Sequence, residues 1–298
     1  MEDRAAARPF VKWAGGKAQI LSEIRLRYPP ELGRSITKYA EPFVGGGAVL
    51  FDVLNTHAFR EVYVSDINRE LIAAYSRIQD SVGDVVSVLR TLENEFLPLA
   101  EDKRKEYYYD KRSRFNTLKQ TEETNVEIAA LFVFLNRTCF NGLYRVNSKG
   151  GFNVPVGRYA KPTICDEDNL RAVSRILQGV RIVHGDYREA RDFIDAQTLV
   201  YFDPPYRPLS LTSSFTSYAQ DNFDDRQQAE LARFVDEMRE KGAAIIASNS
   251  DPRNTNASDD FFDRLYAKHQ IHRITATRMI NSDGNGRGKI SELLISSY

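Results

Sequence analysis

Hydrophobic residues follow two alternating patterns along the chain. Short apolar runs predict strands at residues 36–43, 61–65, 179–184, 198–202, 243–247, 271–275 and 290–298. Longer segments with apolar residues three and four positions apart predict helices at residues 48–54, 71–97, 102–118, 126–135 and 225–241. Strands that alternate with helices are typical of a doubly wound α/β sheet, in which ligands bind at the carboxyl ends of the strands.

One segment, residues 138–163, breaks this pattern. It is rich in Gly, Asn, Arg, Tyr and Pro, a composition that predicts a loop or hairpin with long polar side chains.

The whole chain of 298 residues is neutral, with 41 basic and 41 acidic residues. Residues 101–161 nevertheless carry 12 Lys and Arg against 7 Asp and Glu, so the rest is net acidic. This asymmetry suits a surface that faces a polyanion, although a solvated helical face has the same signature.

The most informative motif is Asp203-Pro204-Pro205-Tyr206, which directly follows the apolar run 198–202. A carboxylate and a proline carbonyl at a rigid corner are acceptors for an exocyclic amine, since proline fixes φ and offers no competing N–H. Tyr206 adds a flat face on which an extruded base stacks. A strand followed by an ordinary Pro-Pro turn is the alternative interpretation.

A second motif, Gly45-Gly46-Gly47, lies between a predicted strand and a predicted helix, as in nucleotide-binding βαβ units. Asp66 ends the next strand, and its spacing from Gly45 is that at which an acidic side chain reaches ribose hydroxyls in such units. Leu50 replaces the third glycine of a dinucleotide fingerprint, which argues against NAD. A tight turn and a helix N-cap are the simpler alternatives for these residues.

A third segment, Phe10 to Lys17, contains the chain's single tryptophan, Trp13. Its Gly15-Gly16-Lys17 is not a phosphate-binding loop, because Ala18 replaces the Ser or Thr that would hold Mg²⁺. The physics of this segment alone favours an ordinary N-terminal arm.

Five motifs in order, KWAGGK, EPFVGGGAVLFDV, SDIN, NGLYRVNSKGGFNVPVGRY and YFDPPYRPLS, resemble the DNA adenine methylase (Dam) family, and the resemblance covers roughly residues 9–298. It implies an enzyme that uses S-adenosylmethionine to methylate N6 of a flipped adenine in duplex GATC sites, as in restriction-modification systems. It also implies a Rossmann-like methyltransferase sheet at 1–75 and 165–298, with an inserted, mainly helical target-recognition domain at 76–164.

The resemblance assigns roles to individual residues. Those implied for catalysis are Asp203, Pro204, Pro205 and Tyr206. Those implied for the cofactor are Trp13, Lys17, Phe43, Gly45, Gly47, Asp66, Asp186, Tyr187 and Asp203. Those implied for DNA are Lys12, Asn141, Leu143, Arg145, Pro155 and Tyr159.

Physical reasoning supports some of these assignments and suggests roles for further residues. Arg145 suits a bidentate contact to a guanine edge, and Arg137, Lys149 and Arg158 are simpler phosphate contacts. Asp186 follows a predicted strand and has two equally supported interpretations. It accepts a hydrogen bond from the adenine amine of the cofactor, or it caps a helix. Ser248 and Asn249 border the site or form a turn. The long segment bearing Phe215, Tyr218 and Phe223 is of a kind that is either functional or disordered, and we expect it to close over the flipped base.

Other features limit the remaining possibilities. No apolar run is long enough for a membrane span, and no signal peptide is evident. The two cysteines indicate a reducing compartment, and the four histidines show no metal-binding spacing, so we expect no metal and a cytoplasmic, nucleoid-associated bacterial or phage protein. A restriction endonuclease for the same site is a possible partner without a stable complex. The alternatives are amine methylation of cytosine N4, RNA or protein glutamine, and a non-catalytic DNA-binding module.

Overall fold

The computed structural model describes residues 5–121, 124–207, 223–277 and 289–298. Its strands form a mixed sheet. They are β1 Lys38–Pro42, β2 Glu61–Asp66, β3 Val180–His184, β4 Thr198–Phe202, β5 Ala244–Ser250, β6 Gln270–Thr277 and β7 Lys289–Ser296. The order across the seven-stranded sheet is β3-β2-β1-β4-β5-β7-β6.

The middle of the sheet is parallel. β1 pairs with β2 in the register Lys38↔Glu61 and with β4 in the register Lys38↔Thr198, and β4 pairs with β5. β7 runs antiparallel to both β5 and β6. Because β1 and β4 are adjacent and parallel, the segments that follow them leave the sheet at the same edge, where α/β sheets bind ligands.

Helices in the described ranges include every helix that the pattern predicts. They are α1 Leu21–Arg25, α2 Ala48–Thr56, α3 Arg69–Phe96, α4 Glu101–Lys119, α5 Val126–Thr138, α6 Glu167–Ile176, α7 Asp225–Glu240 and α8 Phe261–Leu265. None of these helices combines the length and apolar character that a membrane span requires. The predicted α/β class is therefore confirmed.

Local chemistry explains where the longest of these helices begins and bends. The side chain of Asn68 accepts a hydrogen bond from Leu71 N and so caps α3. Ser81 has a non-helical backbone (φ −142°, ψ 40°), so α3 bends where the apolar pattern predicts an unbroken helix. The pattern missed α1, α6 and α8. Two of these, α1 and α8, have five residues each, which are too few to show a period.

The chain divides into two compact units. The helical unit comprises Met1–Gly16, Gly45–Thr56 and Asp66–Gly185, and in it α5, whose apolar sequence predicts burial, packs against α3 and α4. The sheet unit comprises Lys17–Val44, His57–Ser65 and Asp186–Tyr298, with buried aromatic residues on its strands such as Tyr39, Tyr63 and Tyr201. The predicted boundaries of a target-recognition domain stay a prediction.

Candidate active site

An acidic corner follows β4 in the sheet unit. The whole of β4 is buried, so the chain emerges at Asp203 directly from the core. Lys17 Nζ lies 2.7 Å from Asp203 Oδ2, and Ser248 Oγ donates to Asp203 Oδ1 at 2.8 Å. The pairing of Phe202 with Ala247 places Ser248 beside Asp203. Both carboxylate oxygens therefore already face hydrogen-bond donors.

Tyr206 is held firmly at the same corner. Lys17 Nζ lies 4.7 Å from the centre of its ring, and its hydroxyl donates to Glu292 Oε2 at 2.9 Å. Burial, together with the nearby charges of Asp203 and Glu292, raises the pKa of Tyr206. Lys17, which the resemblance assigns to the cofactor, thus also contacts two of the residues predicted for catalysis.

A chain of buried amides supports Pro205. Gln228 Nε2 donates to the Pro205 carbonyl at 3.0 Å, and Asn249 Nδ2 donates to Gln228 Oε1 at 3.1 Å. The amide N–H of Ser250 donates in turn to Asn249 Oδ1. Each amide is oriented by its neighbour, so the Pro-Pro corner is fixed from the interior side rather than by its own rigidity alone.

Sequence reasoning missed Gln228. The one available signal is its position before Leu231 and Val235 on the apolar face of α7. Ser248 and Asn249, for which a turn was one of the two interpretations, instead lie within β5 with buried side chains.

An aromatic cluster follows β1 in the sheet unit. The rings of Phe43 and Tyr187 stack with centroids 5.4 Å apart and planes at 27°. Phe223 meets Phe43 edge-on at 5.8 Å. The Tyr187 hydroxyl is buried and has no hydrogen-bond partner among the described residues. A flat, apolar pair of rings with one unsatisfied polar atom is suited to hold a planar heterocycle.

Asp186 has a structural role in the turn that follows it. Its side chain accepts from Arg188 N at 2.9 Å, and Glu189 Oε1 accepts from Asp186 N, which together form a capping box. The capping interpretation is therefore what the structure shows, and a contact to the adenine of a cofactor stays a prediction.

The glycine turn of the helical unit has no room for side chains. Gly45 and Gly47 have φ of +48° and +74°. A Cβ on Gly45 would lie 2.8 Å from Trp13 Cδ1, and one on Gly47 would lie 2.4 Å from Tyr75 Oη. Tyr75 Oη also donates to the Gly45 carbonyl at 3.1 Å. Trp13 therefore lies against the turn, which an ordinary N-terminal arm would not require.

Asp66 fastens the glycine turn. Its Oδ2 accepts from Gly45 N at 3.0 Å and its Oδ1 accepts from Asn68 N at 2.9 Å. Burial raises the pKa of Asp66, while these backbone hydrogen bonds lower it by a smaller amount. The spacing between Gly45 and Asp66 thus brings a carboxylate to the turn, as predicted, and a contact to ribose hydroxyls stays a prediction.

Hydrogen bonds through Asn136 join Lys12 to the segment predicted to read DNA. Asn136 accepts from Lys12 N and donates to the Lys12 carbonyl, each at 2.8 Å, and it also donates to the Gly142 carbonyl at 3.0 Å. Lys12 Nζ lies 4.3 Å from the centre of the Tyr159 ring. Lys12 and Tyr159, which are distant in the sequence, are therefore neighbours. Sequence reasoning missed Asn136, which lies inside the apolar run of α5.

Arg145 lies on an exposed hairpin. Val146 and Phe152 form an antiparallel bridge, and Arg145 Nε donates to Asn153 Oδ1 at 2.7 Å. Asn116 of α4 anchors the hairpin because its amide donates to the Phe152 carbonyl and accepts from Phe152 N. The hairpin predicted within residues 138–163 is thus present, with an oriented guanidinium on its surface.

The other residues predicted for DNA lie in the same segment. Asn141 is exposed and has φ of +56°, the one positive value for a non-glycine residue in the described ranges. Leu143 is half-buried and Pro155 is exposed, with its carbonyl accepting from Phe140 N at 2.9 Å. Backbone strain of the kind seen at Asn141 is common where a protein binds a ligand, since it aims side chains that a relaxed loop would not.

Arg137 has a structural role that its sequence context does not indicate. Its Nε donates to the Phe10 carbonyl at 3.0 Å, and its half-buried position lowers the pKa of the guanidinium. Arg137 thus fastens the N-terminal arm, and a phosphate contact by its remaining nitrogens stays a prediction. Lys149 and Arg158, predicted for the same role, are exposed.

Two further expectations concern the segment after Tyr206 and the cysteines. Phe215 and Tyr218, which we expect to close over a flipped base, lie outside the described residues. Cys139 and Cys165 are free and buried, and burial raises the pKa of the Cys139 thiol to about 11. A thiol in this state is a packing residue rather than a nucleophile.

Known proteins are similar to nearly the whole chain. A family model described as D12 class N6 adenine-specific DNA methyltransferase matches residues 13–280. The type II methyltransferase M.MjaIII of Methanocaldococcus jannaschii is 48% identical over 293 residues, which cover 98% of this chain and 99% of that protein. The type II methyltransferase M1.LlaDCHI of Lactococcus lactis subsp. cremoris is 36% identical, with coverages of 98% and 95%. The DNA adenine methylase of Escherichia coli K12 is also 36% identical, with coverages of 96% and 94%.

Proposed function

The chain belongs to the D12 class of N6 adenine-specific DNA methyltransferases, and from this premise we propose that it transfers the methyl group of S-adenosylmethionine to N6 of adenine in GATC sites of duplex DNA. The family resemblance predicted from five motifs is confirmed, as is the prediction of an enzyme that methylates DNA. Methylation of cytosine N4, RNA or protein glutamine, and a non-catalytic binding module, are therefore set aside.

The observation that carries the proposal is the geometry of Asp203. Its two oxygens face the ammonium of Lys17 and the hydroxyl of Ser248, so the corner is already arranged to accept N–H and O–H donors. The N6 amine of adenine is a poor nucleophile because its lone pair is delocalised into the ring. Hydrogen bonds from this amine to Asp203 and to the Pro204 carbonyl favour a tetrahedral, nucleophilic nitrogen.

The residues assigned to the cofactor fit that group. The glycine turn accepts no Cβ at residues 45 and 47, which suits close approach of a ligand to its backbone. Phe43 and Tyr187 offer stacked rings for an adenine, and the Tyr187 hydroxyl, without a partner among the described residues, is a polar atom beside them. We assign Trp13 to packing on the ligand and Asp66 to its ribose hydroxyls. S-adenosylmethionine supplies an electrophilic methyl group.

The chain's own residues orient the adenine N6 amine, which accepts the methyl group, and remove the positive charge that develops on this nitrogen. Asp203 and Pro204 hold the amine with its lone pair directed at the methyl carbon, and Tyr206 stacks on the flipped base. Bound S-adenosylmethionine would supply the methyl group directly to N6 and leave as the corresponding thioether, so these residues need form no covalent bond with the substrate. The amine then loses one proton to water or to Asp203.

We assign sequence reading to the hairpin of residues 145–153 and its neighbours. Arg145 presents an oriented guanidinium, the side chain that most often reads a guanine edge in the major groove. Lys12 contacts the second guanine, and Pro155 and Tyr159 help to read the site. Asn141 and Leu143 contact the duplex near the flipped base. We assign phosphate contacts to Lys149 and Arg158, which are exposed.

A methyl-transfer assay tests the proposal directly. The full-length protein is incubated with duplex DNA and radiolabelled S-adenosylmethionine, and the DNA is digested to nucleosides. We expect label in N6-methyladenine and protection of GATC sites from a methylation-sensitive restriction enzyme, with no label transferred by Asp203→Ala. Label in N4-methylcytosine, or methylated adenines outside GATC, would refute the substrate or the site.

Two of the relatives are named type II methyltransferases, a name that refers to restriction-modification systems. This supports our proposal that a restriction endonuclease cleaving the same sequence accompanies this enzyme, without forming a stable complex with it. Expression of the chain in a host should then protect that host's DNA from a GATC-cleaving endonuclease. Purified protein should remain unbound to the endonuclease in a pull-down experiment.

A further inference from the structure

Tyr144 makes two kinds of contact in the helical unit. Its ring stacks on Trp13 with centroids 5.9 Å apart and planes at 27°. Its hydroxyl donates to Glu70 Oε2 at 2.5 Å and accepts from Lys119 Nζ at 2.6 Å. Tyr144 is not among the residues to which the family resemblance assigns a role.

The hydroxyl is fixed by a buried ion pair. Lys119 Nζ lies 3.0 Å from Glu70 Oε2, and the two side chains are 13% and 10% exposed. Glu70 lies in the first turn of α3 and Lys119 in the last turn of α4, where each charge is favoured by the helix dipole. The position of the Tyr144 hydroxyl is therefore set by two helices rather than by the loop that carries it.

The ring, in turn, fixes Trp13. The indole lies between the Tyr144 ring and the glycine turn, since a Cβ on Gly45 would meet it at 2.8 Å. Phe132 contacts the indole with centroids 6.3 Å apart. Removing the tyrosine ring would leave one side of Trp13 unsupported, whereas Phe132 and Gly45 would remain in place.

Tyr144 also directly precedes Arg145 in the chain. The backbone that leads into the guanidinium is thus held at one residue by Glu70 and Lys119 and at the next by the hairpin bond to Asn153. Loss of the Tyr144 hydroxyl would leave the hydrogen bond between Arg145 and Asn153 intact, but Tyr144 itself would no longer be held by Glu70 and Lys119.

We propose that Tyr144 is a positioning residue for both cofactor binding and base recognition, with its ring holding Trp13 and its hydroxyl holding the backbone at Arg145. The inference rests on the proposed function, which assigns the cofactor to Trp13 and a guanine to Arg145. It assigns separate consequences to the ring and to the hydroxyl.

Two substitutions separate these consequences. Tyr144→Phe keeps the ring and removes the hydroxyl, while Glu70 and Lys119 still pair with each other. We expect unchanged S-adenosylmethionine affinity and about tenfold lower discrimination at the base pair that Arg145 reads, the effect of one lost hydrogen bond to a charged group. Tyr144→Leu also removes the ring, so we expect the same loss of discrimination together with about threefold to tenfold weaker cofactor binding.

The control is Tyr107, whose hydroxyl donates to Glu95 Oε2 at 2.6 Å in the same unit. Tyr107→Phe and Tyr107→Leu remove the same atoms elsewhere and should change neither measurement. Cofactor affinity is measured by calorimetry without DNA, and discrimination is the ratio of kcat/KM on GATC to that on a single-base variant.

A merely structural role would produce a different pattern. In a Trp13→Ala background, Tyr144→Leu should have no further effect on cofactor affinity, because the two rings act through the same contact. Additive losses, or Tyr144 variants that match the wild type in both measurements, would overturn the inference. If the wild type itself binds no S-adenosylmethionine or methylates no DNA, the proposed function fails first, and the two failures are thereby distinguished.

Discussion

Lys17 Nζ lies 2.7 Å from Asp203 Oδ2, and the lysine side chain is only 4% exposed while that of the aspartate is 21% exposed. A buried cation that meets a partly exposed carboxylate stabilises the anion without closing it off from a ligand. Because most of the chain separates the two residues in sequence, this pair is a property of the fold. It brings Lys17, whose sequence context alone indicates only an arm, to the acceptor corner.

Replacement of Asp203 should slow methyl transfer by orders of magnitude. Asp203→Ala removes an acceptor that is positioned before the amine arrives, so we expect turnover to fall by a factor that corresponds to about 3 kcal/mol or more. Asp203→Asn should fail as well, because the asparagine NH2 can face the adenine N6 amine, and two hydrogen-bond donors cannot bond to each other. Turnover is measured under single-turnover conditions with saturating DNA.

The matched control for this change is Asp195, which pairs with Lys38 at 3.0 Å, and Lys38 is also buried. Asp195→Asn perturbs a similar ion pair elsewhere in the sheet unit and should leave the rate of methyl transfer unchanged. Near wild-type turnover by a folded Asp203→Ala protein would show that the acceptor corner is assigned wrongly.

Gln228 should matter for stability and for chemistry together. Gln228→Leu removes the donor to the Pro205 carbonyl and the acceptor for the Asn249 amide. The buried Asn249 amide then loses its partner, which costs about 1–3 kcal/mol. We expect a lower urea midpoint and a lower kcat with little change in KM for DNA. The control variant is Gln197→Leu, which alters an exposed amide. It should leave the urea midpoint, kcat and KM for DNA unchanged.

The strands and the acceptor corner could be predicted from the sequence because their signals are local. The run at 198–202 gives β4, and the residue that follows a buried parallel strand must lie at the ligand-binding edge. The glycines at 45 and 47 are similarly readable, since positive φ and a strand-to-helix turn both favour glycine.

Side-chain partners that are distant in sequence could not be predicted. Asn136 and Gln228 each lie within an apolar helical face, and no pattern indicates which carbonyl they bind. The bond from Arg137 to the Phe10 carbonyl could not be predicted for a related reason, since the two residues are 127 positions apart in the sequence. Asp186 carried two interpretations of equal weight, and only the contacts around Arg188 show that it caps a turn.

Two glycine substitutions should have opposite effects on stability. Gly47→Ala places a Cβ 2.4 Å from Tyr75 Oη at φ of +74°, so steric overlap and about 1–2 kcal/mol of left-handed backbone strain both oppose it. Gly83→Ala lies inside α3 with nothing within 4 Å and should stabilise the protein by about 0.5–1 kcal/mol. Urea unfolding of both variants measures the difference.

A second substitution identifies the source of the Gly47 effect. Tyr75→Phe removes the hydroxyl that the new Cβ would meet, so Gly47→Ala should cost less in that background. Equal costs in both backgrounds would mean that backbone strain and the contact with the Phe51 ring at 3.0 Å, rather than the hydroxyl, oppose the alanine.

The pH dependence of stability should include a contribution from Cys139. Burial raises the pKa of its thiol from 9.0 to about 11, so the native state holds this proton more tightly than the unfolded chain. Stability is therefore lost as pH rises from about 9 towards 11 and is unaffected by this group below that range. Between pH 8 and 10.5 the contribution is about 2 kcal/mol of the free energy of unfolding.

Cys139→Ala isolates this contribution. The variant is expected to be less stable at pH 8 because it loses buried sulfur, but its stability should fall less steeply between pH 8 and 10.5. Parallel pH profiles for wild type and variant would contradict a protonated native thiol. Native Cys139 should also react slowly with thiol reagents at pH 8, where about one molecule in a thousand carries the thiolate.

Specificity should depend on Arg145 in a way that it does not depend on Lys149. Arg145→Ala removes a guanidinium that Asn153 orients, so we expect to lose about 1–3 kcal/mol of discrimination at one base pair and to see substitutions tolerated there. Lys149→Ala should weaken binding evenly across sequences and reduce the slope of log affinity against log salt by about one. Both protein variants are compared on a panel of DNA sites that differ from GATC at a single base.

Asn153→Ala should have the same effect as Arg145→Ala but a smaller one, since it frees the Arg145 guanidinium without removing it. Uniform losses for Arg145→Ala across the panel would reduce Arg145 to another phosphate contact and leave the reading of that base pair to a different side chain.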